Sequence, residues 1–264
     1  MIRTGTAGWS IPRALAGEFP GEGTHLARYA RRMPCAEIDT SFYRAHARKT
    51  YEKWAALTPR GFRFAVKLPR AITHDSKLRG ARPLLELFLD EVGGLGGKLG
   101  PLLVQLAPSH VYEARVVRAF FKLLRELHGG SVVCEPRHAS WFEPKAQESM
   151  AEFRIGQVVA DPARVPAAAM PGGWLGVDGR GTGATVYLRL HGSPRVYWSA
   201  YDSAQLRLWR ERLDALSKRA ERWCIFDNTA AGAALANALE FIALGEESAE
   251  KRGTATQTRR AQIG

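Results

Sequence analysis

Hydrophobic and polar residues alternate strictly from Thr185 to Gly192. Val186, Leu188 and Leu190 share one face, and Tyr187, Arg189 and His191 share the other, the period of two that marks a β-strand. The polar face ends in an arginine, a histidine and a glycine, and gathering polar groups at strand ends is how parallel α/β folds build sites. The same patterning predicts seven further strands: Ile2–Gly8, Cys35–Asp39, Phe62–Lys67, Leu102–Leu106, Ser131–Glu135, Gln157–Asp161 and Trp223–Phe226. Between them, apolar residues recur at helical spacing in His25–Arg32, Lys49–Leu57, Ala81–Glu91, Glu113–Leu127 and Pro144–Phe153. A helix capped by Asp202 or Ser203 carries Leu206, Trp209, Leu213 and Leu216, and a last one spans Ala231–Leu244. The helix over Glu113–Leu127 is the clearest, with Val116, Val117, Phe120, Phe121, Leu124 and Leu127 on one stripe.

Strands that are nearly all followed by helices point to an α/β fold, a TIM-type (β/α)8 barrel rather than an open doubly wound sheet. The connection Pro162–Ala184 is rich in Pro, Gly and Ala, which makes the sixth unit the irregular one and lets it cover a site. A single domain over 1–245 is expected, followed by a polar, disordered tail over 246–264 that lacks apolar periodicity.

In such a barrel the helix-facing strand positions are apolar and the other parity points inward. That rule turns Glu37 and Asp39, Arg63 and Lys67, Gln105, Glu135, Gln157 and Asp161, and Tyr187, Arg189 and His191 into the barrel. Inward charges must be paired or used. Glu37, Arg63 and Arg189 sit deeper and suit a structural ion pair, whereas Asp39, Lys67, Gln105, Glu135, Asp161 and His191 fall at the C-terminal mouth.

Composition adjusts this picture in three ways. The 264 residues are 45% hydrophobic, enough for one full core. Neither a signal-peptide pattern nor an apolar run of membrane-spanning length is present, so a cytoplasmic protein is expected. Cys35, Cys134 and Cys224 are widely spaced in predicted strands and read as buried, reduced thiols. The formal net charge is +12; the segment 246–264 holds four basic and three acidic residues, so the excess belongs to the domain. A basic domain attracts phosphate-bearing partners, nucleic acid included.

Several segments resemble a known family. They are Gly5-Thr6-Ala7-Gly8-Trp9 with Phe19-Pro20, Glu37 to Arg44, Lys67 with Thr73-His74, Leu99 to Leu106, Glu135 to Phe142, Arg189 to Gly192, and Phe226-Asp227-Asn228 with Asn237-Ala238. In this order, over residues 1–244, they are similar to the YecE-like family, domain of unknown function 72. The resemblance implies a TIM barrel with a site at the strand ends, and the family's name assigns no activity. Ala7, Ile11, Asp39 and Asp227 depart from that family's usual Ser, aromatic and Asn residues, and the loop before Phe19 is shortened.

Lys67, His74, Arg137, Arg189 and His191 offer positive charge and proton transfer, and Glu135 and Asp161 a general base. His191, Glu135, Lys67 and Asp161 are the catalytic candidates. Arg137, Arg189, His74, Gln105, Asp39, Tyr43, Trp9, Trp141 and Asn228 are the binding candidates, with Arg137 or Arg189 as a bidentate clamp. Aromatic residues beside cations stack sugars or bases. The expectation is an enzyme, a hydrolase, isomerase or lyase, that acts on a phosphorylated or otherwise anionic sugar-like substrate; the alternative is a nucleic-acid-binding protein or nuclease. Cofactors are not expected. Glu135, Asp161, His191 and Asp227 could hold a divalent cation, but no tight ligand motif supports it. Gly97-Lys98 lacks the Ser/Thr and following helix of a phosphate loop, and no Gly-x-Ser-x-Gly elbow supports a serine nucleophile.

Overall fold

The computed structural model describes residues 2–174, 184–216 and 220–261, with side chains as far as residue 247. Its strands are β1 (Ile2–Thr6), β2 (Cys35–Ile38), β3 (Arg63–Lys67), β4 (Leu99–Gln105), β5 (Val132–Glu135), β6 (Gly156–Asp161), β7 (Thr185–Leu190) and β8 (Glu221–Phe226). The helices are α1 (His25–Ala30), α2 (Arg48–Ala56), α3 (Arg82–Val92), α4 (Ala114–Leu127), α5 (Pro144–Glu152), α6 (Ser203–Ala215) and α7 (Ala233–Ala261). All strand pairs are parallel, in the order β1-β8-β7-β6-β5-β4-β3-β2. The result is a nearly closed barrel of the expected α/β type. No helix among the described residues is long and apolar enough to cross a membrane.

Closure falls between β1 and β2. There the contact narrows to one bridge, Ala7 with Glu37, and the Gly8 amide donates to the Glu37 carbonyl at 2.8 Å. Gly5 makes this approach feasible: a Cβ at that position would lie 2.2 Å from the Cys35 carbonyl oxygen.

Two apolar layers enclose the strands. The larger lies between strands and helices, where Val117, Phe120, Phe121 and Leu124 of α4 meet Leu102 and Val104 of β4. The smaller fills the lower barrel with Cys35, Ala65, Leu103, Val133, Val158, Tyr187, Trp223 and Ile225. Cys35, Cys134 and Cys224 are free and buried. α6 starts on a capping box, in which Asp202 accepts from the Gln205 amide at 2.8 Å and Gln205 accepts from the Asp202 amide at 3.0 Å.

Strand parity holds in β2, β3, β4, β5 and β7 and fails in β6. Val158 belongs to the inner layer and Val159 to the outer one, and the register pairs Asp161 with the outward Leu190. Gln157 and Asp161 therefore point away from the barrel, and Ala160 takes the inward place beside Arg189. The cause is the irregular sixth connection. Among the described residues, a 3-10 turn, Pro166–Ala169, and no α-helix follows β6, and its carbonyls require donors. Gln157 supplies them, donating to Ala167 at 3.0 Å and Met170 at 2.7 Å. The rest of that connection, 175–183, lies outside the described residues.

Three further differences are local. Arg63 keeps its parity but sits at the lower rim, where it donates to the carbonyls of Arg60 and Phe62 and forms no ion pair among the described residues. Lys98 donates to the Ala55 and Thr58 carbonyls at 2.6 and 2.5 Å, tying α2 to β4. α7 continues through Ala261, so the backbone expected to be disordered from 246 is helical to that residue. Residues 262–264 of that tail lie outside the described residues.

Candidate functional site

The upper barrel holds one continuous charge cluster. Arg189, projecting from β7 and wholly buried, donates to both oxygens of Glu37 at 2.6 and 3.1 Å and to Glu135 Oε2 at 2.8 Å. Its Nη2 also stands 3.1 Å from Asp227 Oδ2. Tyr187 donates to Glu37 at 2.8 Å and Gln105 to Glu135 Oε2 at 3.1 Å. Arg137 reaches the other oxygen of Glu135 at 2.7 Å. Toward β2 and β3, Lys67 donates to Asp39 at 2.8 Å and lies 4.0 Å above the Phe42 ring. Each of these groups sits at or near a strand end because its neighbours along the strand are apolar and face the helices.

His191 completes the cluster. Its Nδ1 is 2.9 Å from Asp227 Oδ2, while its buried Nε2 stands 3.3 Å from Glu135 Oε1 yet completes no hydrogen bond. Burial alone would lower its pKa, but Glu135 and the bond to Asp227 outweigh that and raise it. Burial likewise opposes ionisation of Glu135, and Arg137, Arg189 and His191 overcome it, holding that carboxyl well below its usual value. Asp227 is also held low, since Arg189 and the His191 bond outweigh burial. Glu37 is pushed upward by burial, against the pull of Arg189. Four carboxyl groups, Glu37, Asp39, Glu135 and Asp227, thus face three permanent cations, Lys67, Arg137 and Arg189. Among these groups His191 and Glu37 are the two whose pKa is raised.

A cavity of about 440 Å³ opens beside His191. Glu135, Arg137, Arg164, His191 and Tyr197 form its polar part. Pro136, Ala160, Pro162, Ala163, Ala168 and Val196 form the remainder. Arg137 retains 17% side-chain exposure, and Arg164 is exposed without an ion-pair partner among the described residues. Tyr197 meets the His191 ring edge-on at 5.6 Å, and its amide donates to the His191 carbonyl at 2.5 Å. Its φ of 69° is a left-handed conformation that non-glycine residues rarely adopt.

The structure brings together His191, Glu135, Lys67, Arg137, Arg189, Gln105 and Asp39 from the sequence-derived set. His74 stands near them; burial first, then Lys67 and Arg137, lower its pKa. Tyr43 is on the rim, 73% exposed. Four candidates lie elsewhere. Asp161 faces outward with β6. Trp141 is buried against Tyr112 and Phe121, and its indole donates to the His110 carbonyl at 2.8 Å. Trp9 packs on Trp54 and Phe64, on the helix side of β3. Asn228, fully buried, donates to the Ser199 carbonyl and to Asn237. Arg189 is in the cluster, but it has no exposed surface for a ligand and cannot be the clamp. Asp227 was legible only as a metal candidate; applying parity to β8 would have placed it two residues beyond the inward Ile225. Among the described residues no group of three or more His, Cys, Asp or Glu side chains is arranged to hold a metal ion.

The profile of the family described as Protein of unknown function DUF72 matches residues 3–262. UPF0759 protein YecE of Escherichia coli (strain K12) is 28% identical over 174 residues, covering 64% of this chain and 62% of YecE. The chain thus spans less than two thirds of the YecE length in that match. UPF0759 protein YunF of Bacillus subtilis (strain 168) is 23% identical over 274 residues, 92% of this chain and 94% of YunF. Among solved structures, a DUF72 family protein from Enterococcus faecalis V583 superposes with a TM-score of 0.76 at 23% identity, covering 92% of this chain and 95% of that one. Another, from Thermotoga maritima MSB8, gives 0.74 at 23% identity, with 93% and 100% covered. Both share the fold.

Proposed function

This chain belongs to the DUF72 family, whose description states no activity, and we propose from the chemistry of its mouth that it is an enzyme acting on a phosphorylated or otherwise anionic small molecule. The observation that carries this reading is the setting of His191. Asp227 holds its Nδ1, its Nε2 completes no hydrogen bond, and the ring lines the cavity. A histidine fixed through one nitrogen and left without a hydrogen bond at the other is arranged for proton transfer. Its raised pKa favours the imidazolium, so His191 acts as a general acid; its Nε2 is buried beside Glu135 and turns toward the cavity to give its proton to an oxygen of the substrate. Glu135 stabilises that charge and orients Arg137. The anionic group is received by Arg137 and by Arg164 at the rim, which can reach a bound oxyanion without entering the buried cluster. Lys67 is already engaged by Asp39 and sets the field of the mouth from a distance.

Calorimetry with inorganic phosphate at low salt and pH 6 tests the reading. Wild type binds, and Arg137→Ala binds roughly tenfold or more weakly, as expected for loss of one charge-assisted contact. Absence of any binding to wild type, or equal binding by the variant, would overturn it.

A second reading rests on the rim. Trp198 is exposed with the Arg195 guanidinium 4.3 Å from its ring, and Tyr43 is exposed as well. Aromatic and basic groups so placed suit the end of a nucleic-acid strand. Its mark is binding to a single-stranded oligonucleotide that weakens steeply with salt.

A further inference from the structure

We infer that the ligand of this cavity is a small organic anion with an apolar body, an aryl or branched-alkyl phosphate or carboxylate, and not a polyhydroxylated sugar. The inference rests on the anion reading above and goes beyond it by fixing what the anion is attached to. A sugar presents a ring of hydroxyl donors, and a site that takes one must offer acceptors to them. The side chains of this cavity have almost none to give. Its one carboxylate, Glu135, is occupied at both oxygens: Oε1 by two nitrogens of Arg137, Oε2 by Arg189 and Gln105. The other polar side chains on the wall among the described residues are Arg137, Arg164, His191 and Tyr197. Arginine only donates, the imidazolium only donates, and a phenol accepts weakly. Buried hydroxyls left without acceptors would each cost free energy, which is the means by which a site rejects a polyol.

The rest of the lining fits the other half of the ligand. Pro136, Ala160, Pro162, Ala163, Ala168 and Val196 present side chains with no donor or acceptor. Small residues leave the volume open, and the cavity of about 440 Å³ can take a body of one ring or one branched chain. The lining thus combines cationic donors with apolar surface, and the ligand that satisfies both carries an anionic group on an apolar body. Polarity of this kind also fixes orientation: the anion faces Arg137 and Arg164, and the bond next to it comes within reach of His191.

Calorimetry with three probes, inorganic phosphate, phenyl phosphate and glucose 6-phosphate, decides the matter on the full chain. Phenyl phosphate is expected to bind at least about tenfold more tightly than glucose 6-phosphate, from burial of the ring on the apolar wall. Ala160→Leu, which fills the wall from β6, should remove that preference while inorganic phosphate binds as before. Ala163→Leu, on the half-buried loop, makes the same test at a position whose change leaves the strand intact. Glucose 6-phosphate binding as tightly as phenyl phosphate would overturn the inference and leave the anion reading standing. If none of the three binds wild type, both are overturned.

Discussion

Arg189 is the residue on which the charge cluster turns. Removing a buried cation leaves its partners as uncompensated charges, and such losses cost about 3–5 kcal/mol. Arg189→Met is therefore expected to lower the free energy of unfolding by that amount in denaturant titration; a loss under about 1 kcal/mol would show the carboxylates relax around the gap. Weakened ligand binding in such a variant would report damage to the fold, because the guanidinium has no exposed surface. His191 gives the second prediction. Its folded pKa is raised, so its contribution to stability is complete below the unfolded value of about 6.5 and is lost as pH climbs through the folded value. The melting temperature of wild type should fall over that alkaline window, and His191→Gln should flatten the fall. Asp227→Asn removes one of the two carboxylates that raise this histidine, and NMR titration of the imidazole should find its pKa lower than in wild type.

Elements were read from the sequence to different depths. The stripe of α4, the cap of α6 and the alternation of β7 all announce themselves, because each is set by neighbours in the chain and by a cover that is uniformly apolar. β6 did not. Its two parities, Gln157-Val159-Asp161 and Val158-Ala160, differ in which one is polar, but the rule that the polar one faces inward presumes a helix above the strand. Under a turn with unsatisfied carbonyls, a glutamine is the better outward residue, and that need arises from tertiary structure. The aromatic candidates failed for a related reason: Trp9 and Trp141 follow strand ends in the chain, yet their large apolar surface is better placed between strand and helix than at a charged mouth. β1 carries the element-scale prediction. Gly5→Ala would drive a methyl group into the Cys35 carbonyl, backbone against backbone, and should destabilise the domain by roughly 1–3 kcal/mol or more. A melting temperature equal to that of wild type would mean that β1 and β2 separate easily.

At the scale of the molecule, the domain's positive excess and its buried cluster are separate matters. The acidic and basic side chains of the cluster pair with one another, so the field outside the domain comes from exposed groups such as Arg164 and Arg195. Residues 246–264 are polar and lack apolar periodicity. Deleting them should leave the melting temperature within error, and a clear drop would show that this stretch packs on the domain. The join between β1 and β2 has a larger meaning. A ring laddered by two or more register pairs everywhere but at one place has a preferred line of parting, and here Glu37 belongs to both sides of the matter: its carbonyl closes the join and its carboxylate anchors Arg189. Mechanical closure and electrical order are thereby fastened at one residue. Whatever parts the two strands, whether heat, denaturant or a crowded side chain at Gly5, also releases the guanidinium that organises the acid groups above it. Deuterium should enter the amide of Gly8 before those of β7, and loss of the proton-transfer geometry should accompany that local event well before the barrel as a whole unfolds.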